Sequence, residues 1–140
     1  MHSNKICIAI IVSVLQTGCG DKAQRHLYDK SYKSGSVSCM RLQVTPYDKK
    51  MESILRQYYN FSTKCPYVLQ VEHKNGIICN SSYNAPQKAL TNFPNSYLKL
   101  ELHKGLSLLY SYYIDLDHKP DESDISEGMD RLERDLGIAP

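Results

Sequence analysis

Tyr97-Leu98-Lys99-Leu100-Glu101-Leu102-His103-Lys104-Gly105-Leu106-Ser107-Leu108-Leu109-Tyr110-Ser111-Tyr112-Tyr113-Ile114-Asp115-Leu116 decides the fold. Leu98, Leu100 and Leu102 alternate with Lys99, Glu101 and His103, the period of two that turns one face of a strand to a core and the other to water. Gly105 supplies a residue that takes positive φ at no steric cost, so a hairpin turn belongs there. Two registers compete. A two-residue turn at Lys104-Gly105 sets Leu100 opposite Leu109 and Leu102 opposite Ser107. A three-residue loop, His103-Lys104-Gly105, sets Leu102 against Leu106, Leu100 against Leu108 and Leu98 against Tyr110. The second keeps every apolar partner on one face and is the register the pattern predicts. The returning strand continues through Tyr112, Ile114 and Leu116, long enough to be central in a sheet.

Working upstream, Tyr67-Val68-Leu69-Gln70-Val71-Glu72-His73 follows Pro66 and predicts another strand. Asn75-Gly76 is the dipeptide best suited to a type I′ turn, which sets His73 opposite Ile78, Val71 opposite Asn80 and Leu69 opposite Ser82. A strand over about 76–82 follows from that pairing. Residues 83–95, with Asn84, Pro86, Asn92, Pro94 and Asn95, read as a loop with room for a helical turn over 87–90. Earlier still, residues 37–44 alternate as a strand, and Thr45-Pro46 predicts a helix start with Thr45 as N-cap. Tyr47, Met51, Ile54, Leu55 and Tyr58 form its apolar stripe. Downstream, Asp121 or Ser123 caps a final helix whose buried stripe is Ile125, Met129, Leu132 and Leu136, stopped by Gly137. The expected order is β-α-β-β-β-β-α: one α+β domain over residues 37–140, a mainly antiparallel sheet of about five strands with two helices.

The N-terminus carries an address. Lys5 is the only formal charge before an almost wholly apolar run from Ile6 to Leu15, which is too short to span a bilayer and ends at Thr17-Gly18-Cys19. The short residues Thr17 and Gly18, the Cys, and the polar Gly20-Asp21-Lys22 after it resemble a bacterial lipoprotein signal with its lipobox, although Gln16 stands where that family usually has an apolar residue. The resemblance implies cleavage after residue 18, a diacylglyceryl group on Cys19, and attachment to the membrane through that lipid. In that family an Asp directly after the Cys retains the protein at the inner membrane. Gly20 stands there instead, which implies the periplasmic face of the outer membrane. Residues 19–36, with scattered charges and no apolar period, read as the lipidated Cys and a flexible tether.

Removing residues 1–18 leaves 122 residues, enough for one domain with a core and too few for two. The whole chain has 17 Lys and Arg against 15 Asp and Glu, a balance that gives no case for nucleic acid as a partner. Charge is segregated. Residues 37–114 hold nine basic and four acidic side chains, and residues 115–136 hold three basic and nine acidic. Two mutually attracting solvated surfaces are the simplest reading of that split, with an acidic docking helix as the functional one.

In the oxidising periplasm that the lipobox implies, Cys39, Cys65 and Cys79 are left to pair once Cys19 is acylated. Cys39 and Cys65 flank the first helix, and their bridge is the expected one, with Cys39–Cys79 as the alternative. No Cys-x-x-Cys or His-x-x-x-His spacing exists, so no metal and no cofactor is expected. Asp115-x-Asp117-His118 lacks the Gly and terminal Glu of a calcium loop. The chain has no Gly-x-Ser-x-Gly and no phosphate loop. An enzyme is not expected.

Binding is what remains. Eleven Tyr, two Phe and no Trp is a biased aromatic set, and Tyr59, Tyr83, Tyr97 and Tyr113 fall outside the core stripes, which makes them the candidate interface. The expected function is a lipid-anchored envelope protein that binds or assembles a partner, pilotin-like or a component of a secretion, pilus or conjugation system. The alternative is a periplasmic inhibitor or immunity-type protein that blocks an enzyme by inserting residues 83–95.

Overall fold

The computed structural model describes residues 23–29, 31–78 and 94–138. Within them run β1 (Gln24–Leu27), β2 (Arg41–Thr45), α1 (Lys49–Tyr58), β3 (Tyr67–Lys74), β4 (Ser96–Lys104), β5 (Ser107–Leu116) and α2 (Glu122–Leu136). The strands form one sheet in the order β1-β5-β4-β3-β2. The pairs are antiparallel except β2 with β3, which are parallel and joined by α1 as a β-α-β crossover. The fold class is therefore the expected α+β, with five strands and two helices.

The leucine hairpin forms, in a different register. Gly105, at φ +60°, and Leu106 make a tight two-residue turn, so Lys104 faces Ser107 and His103 faces Leu108. A bulge between Leu102 and His103 then shifts the pairing by one, giving Leu102 against Tyr110, Leu100 against Tyr112 and Leu98 against Ile114. The bulge buries the consecutive residues Leu109 and Tyr110 and leaves Leu106 in water. On β5, Tyr110 and Tyr112 thus face the helices beside the leucines of β4.

The hairpin expected at Asn75-Gly76 does not form. β3 pairs instead with β4, which sets Leu69 against Leu102, Val71 against Leu100 and His73 against Leu98. Those leucine partners bury more apolar surface than Asn80 and Ser82 could offer. Residues 76–78 are not a strand; Ile77 N–H donates to the Asn95 carbonyl at 2.7 Å, closing the base of the excursion. The remainder of that expected strand and the helical turn over 87–90 lie outside the described residues.

Two further boundaries move. Thr45 ends β2, the Thr45–Pro46 peptide is cis, and the N-cap of α1 is Asp48, whose carboxylate accepts from the Lys50 and Met51 N–H groups at 2.9 and 3.0 Å. Tyr47 therefore precedes the helix and is exposed, while Met51, Ile54 and Leu55 are buried as the stripe required. The first expected strand, over 37–44, shrinks to Arg41–Thr45, with Val37 and Met40 buried in irregular chain ahead of it.

Residues 23–36 are a correction to the tether. Gln24–Leu27 pairs with β5, the Tyr32 hydroxyl donates to the Leu136 carbonyl at 2.7 Å, and Gly35 N–H donates to the same carbonyl at 3.0 Å. All four β1 residues are exposed, which is why no apolar period marks the strand; the open backbone edge of β5 recruits it. Helix α2 agrees with its sequence. Asp121 and Asp124 form a capping box, Gly137 closes the C-terminus at φ +62°, and Ile125, Met129, Leu132 and Leu136 are buried. Gly128 lets α2 approach the sheet: a Cβ there would meet Leu100 Cδ1 and Tyr112 Cε1 at 3.2 Å each. Cys39 and Cys65 are bridged, with Cα atoms 6.0 Å apart, as expected from their places on either side of α1.

Candidate functional site

Both helices pack on one face of the sheet, against Leu69, Val71, Leu98, Leu100, Leu102, Tyr110 and Tyr112. Alternation sends Gln70, Glu72, Tyr97, Lys99, Glu101, Ser111 and Tyr113 to the opposite face, which no described element covers. The register assembles them into rows. Glu72, Lys99 and Tyr113 lie side by side across β3, β4 and β5, and Lys74, Tyr97 and Asp115 form the next row.

These side chains interlock. The Tyr97 and Tyr113 rings stack with centroids 5.6 Å apart and planes 26° from parallel. The Tyr97 hydroxyl donates a short hydrogen bond to Glu72, and the Tyr113 hydroxyl donates to Asp115 at 2.7 Å. Lys99 Nζ sits 2.8 Å from Glu72 Oε2 and 3.6 Å from Glu101 Oε1. The Lys99 ammonium and then the Tyr97 hydroxyl hold the Glu72 carboxyl below its usual range, and the bond to Glu72 raises the Lys99 ammonium in turn. Burial and then the bond to Asp115 push the Tyr113 phenol up to about 12, and hydrogen bonding to Glu72 raises that of Tyr97. Both phenols therefore stay protonated at neutral pH. The patch is a fixed, half-buried array of two amphipathic rings framed by one cation and three carboxylates, suited to contact with a polar-rimmed partner surface.

Of the four expected interface tyrosines, Tyr97 and Tyr113 are brought together. Tyr59 is the C-cap residue of α1, tilted against Phe61 at 5.0 Å and packed on the core; burial and then Glu133 raise its phenol. Tyr83 lies outside the described residues, as do Cys79 and residues 83–93 of the expected inhibitory loop. Glu72, Lys99 and Glu101 were not singled out by sequence, yet their alternation with buried leucines marks the face they share with Tyr97.

Asp115 leaves the acidic run to bond Tyr113, while His118 gathers the rest. Its Nδ1 lies 2.9 Å from Asp117 Oδ1, and its Nε2 lies 3.1 Å from Asp124 Oδ2 and 3.9 Å from Asp121 Oδ2. Bonding to Asp117, with help from Asp124, raises the imidazole above its ordinary 6.5. Asp121 and Asp124 are already committed to backbone N–H groups as the α2 cap, so the cluster reads as helix capping. A hollow beside β1 is lined by Arg25, Tyr110 and Asp135. There Arg25 pairs with Asp135 at 3.1 Å, and the Tyr110 hydroxyl donates to the same carboxylate at 2.8 Å, which fastens β1 to α2. Among the described residues no helix is long and apolar enough to cross a membrane.

No family model and no curated protein matches the chain. Among solved structures, the chain is similar to a PelC dodecamer from Paraburkholderia phytofirmans at 9% sequence identity and a TM-score of 0.43, over 81% of this chain and 96% of that one. At that distance the likeness carries no argument about function.

Proposed function

We propose that this chain is a non-catalytic, lipid-anchored protein of the cell envelope, held through Cys19 at the periplasmic face of the outer membrane. Its domain acts as a binding or assembly accessory, pilotin-like or part of a secretion, pilus or conjugation system, and meets a protein partner through the uncovered sheet face. The lipobox ending at Cys19 supports the anchor. The observation that carries the binding face is the Tyr97–Tyr113 stack, fixed by Glu72 and Asp115 on a sheet surface over which no described element lies. Rigid Tyr rings lose little side-chain entropy on docking, so they suit a contact surface. Anchoring adds effective concentration, so a modest intrinsic affinity suffices.

The test compares full-length wild type with Cys19→Ser and with the double variant Tyr97→Ala/Tyr113→Ala, each expressed from the native locus and cross-linked in intact cells. The account expects wild type to form a discrete adduct with an envelope protein, the double variant to lose it while staying in the membrane fraction, and Cys19→Ser to leave that fraction. An undiminished adduct in the double variant would reject the face, and membrane retention of Cys19→Ser would reject the anchor.

A further inference from the structure

The domain begins close to its expected lipid. Ala23 is the first described residue and lies four positions after Cys19, and a chain of that length spans at most about 14 Å. Gln24 is registered against Tyr113, which places Ala23 level with Ile114 on β5. The same end of the sheet holds the close of β5, the start of β4 at Ser96 opposite Leu116, the close of β3 at Lys74 opposite Tyr97, and the close of β2 at Thr45 opposite Glu72. The Gly105-Leu106 turn marks the other end.

That reach decides which end meets the membrane. If the domain stood inverted, with the Gly105-Leu106 turn on the lipid, the seven steps of β5 from Ser107 to Ile114 would hold Ala23 about 23 Å above the surface. The tether reaches only about 14 Å, so inversion would pull the lipid out of the bilayer. The exposed apolar side chains divide between the two ends: Tyr47, just past β2, and Ile78, just past β3, lie at the anchored end, whereas Leu27, Tyr28 and Leu106 lie toward the other, so the reach of the chain and not apolar exposure sets the orientation. Tyr113 and Tyr97 stand on the same end of the uncovered face. The Tyr47 ring, apolar in body and polar at the tip, suits the headgroup level. Charge does not separate the ends: Arg41, Lys64 and Lys104 lie at the far one, and Lys74, Lys50 and Lys119 at the anchored one, the last two beside Asp48 and Asp121.

We propose that the domain stands on the phospholipid surface on the end carrying Tyr47 and Ile78, with the β4–β5 turn and Lys104 pointing away. This rests on the lipid anchor proposed above. The Tyr97–Tyr113 stack then sits in the membrane-side half of the sheet face, level with partner segments that run along the membrane surface.

The chain contains no Trp, so a single indole reports its own position. The mature, membrane-extracted protein carrying either Tyr47→Trp or Leu106→Trp is reconstituted in vesicles of phosphatidylethanolamine and phosphatidylglycerol doped with brominated phosphatidylcholine. Both side chains are exposed, so neither change touches the core. Emission from position 47 is expected to fall by roughly half, and that from position 106 to stay unchanged, because a headgroup-level indole reaches the acyl boundary. Equal or stronger quenching at position 106 would overturn the orientation, as would no quenching at position 47 in protein whose intact mass includes the lipid. A mature mass without lipid removes the anchor and the orientation together, which distinguishes that failure from the first two.

Discussion

On the helix side of β4, Leu98, Leu100 and Leu102 are wholly buried; one residue along, on the same strand, Tyr97, Lys99 and Glu101 remain half-exposed, Tyr97 and Lys99 joined through Glu72 and Glu101 joined to Lys99. The backbone is shared, so only the side chains distinguish the two faces. The covered face is held by burial, which is proportional to area and indifferent to detail. The open face is held by a hydrogen-bonded array that costs side-chain freedom and returns little stability where solvent screens it.

Removing support from the covered side is expected to have the largest effect. Leu100→Ala leaves a cavity under α2 and should lower unfolding free energy by about 3 kcal/mol. Cys39→Ser should cost a similar amount, about 3 kcal/mol in the chain-entropy account of a bridge spanning α1. Urea midpoints of the soluble domain check both, and wild type in reductant should follow Cys39→Ser.

Gly128→Val sharpens the same side. Its branched side chain must enter where a Cβ alone already meets Leu100 and Tyr112 at 3.2 Å, so overpacking should cost about 2 kcal/mol. A neutral result would mean that α2 does not press on the sheet as described.

The open face should respond in the opposite way. Tyr97→Ala/Tyr113→Ala is expected to cost only about 1 kcal/mol of stability, read by the same urea midpoints, while abolishing partner contact. A loss of stability as large as that of Leu100→Ala would make the stack structural and erase the contrast between the faces.

The smallest expected effect is a pH dependence. The folded-state pKa of Glu72 is lowered, so its contribution is present above the ordinary 4.5 and is lost as pH falls through the lower folded value. That of Lys99 is raised, so its contribution holds below the ordinary 10.5 and is lost as pH rises through the higher folded value. Glu72→Gln should cost about 0.5 kcal/mol at neutral pH after solvent screening. Part of the fall in stability expected of wild type below pH 4.5 should vanish with it, as thermal melts across that range would show.

What the sequence revealed follows the same division. Leu98, Leu100, Leu102 and the Ile125-Met129-Leu132-Leu136 stripe were legible because burial leaves a period. The turn dipeptide Asn75-Gly76 misled because a local propensity of a few tenths of a kcal/mol yields to the leucine partners that β4 offers β3. The bulge at Leu102/His103 was hidden because a one-residue slip changes which side chains pair without changing composition. β1 was invisible, since every one of its side chains is exposed. Of the candidate site, the sequence supplied Tyr97 and Tyr113 as outward residues; their stacking, and the parts played by Glu72 and Asp115, depend on long-range register that no local pattern carries.

The anchor supports both the proposed function and the proposed orientation, so the intact mass of the mature protein extracted from membranes tests the account most directly. The account predicts the mass of residues 19–140 plus a diacylglyceryl group, with the lipid absent from Cys19→Ser. A mature wild-type chain of unmodified mass would contradict it.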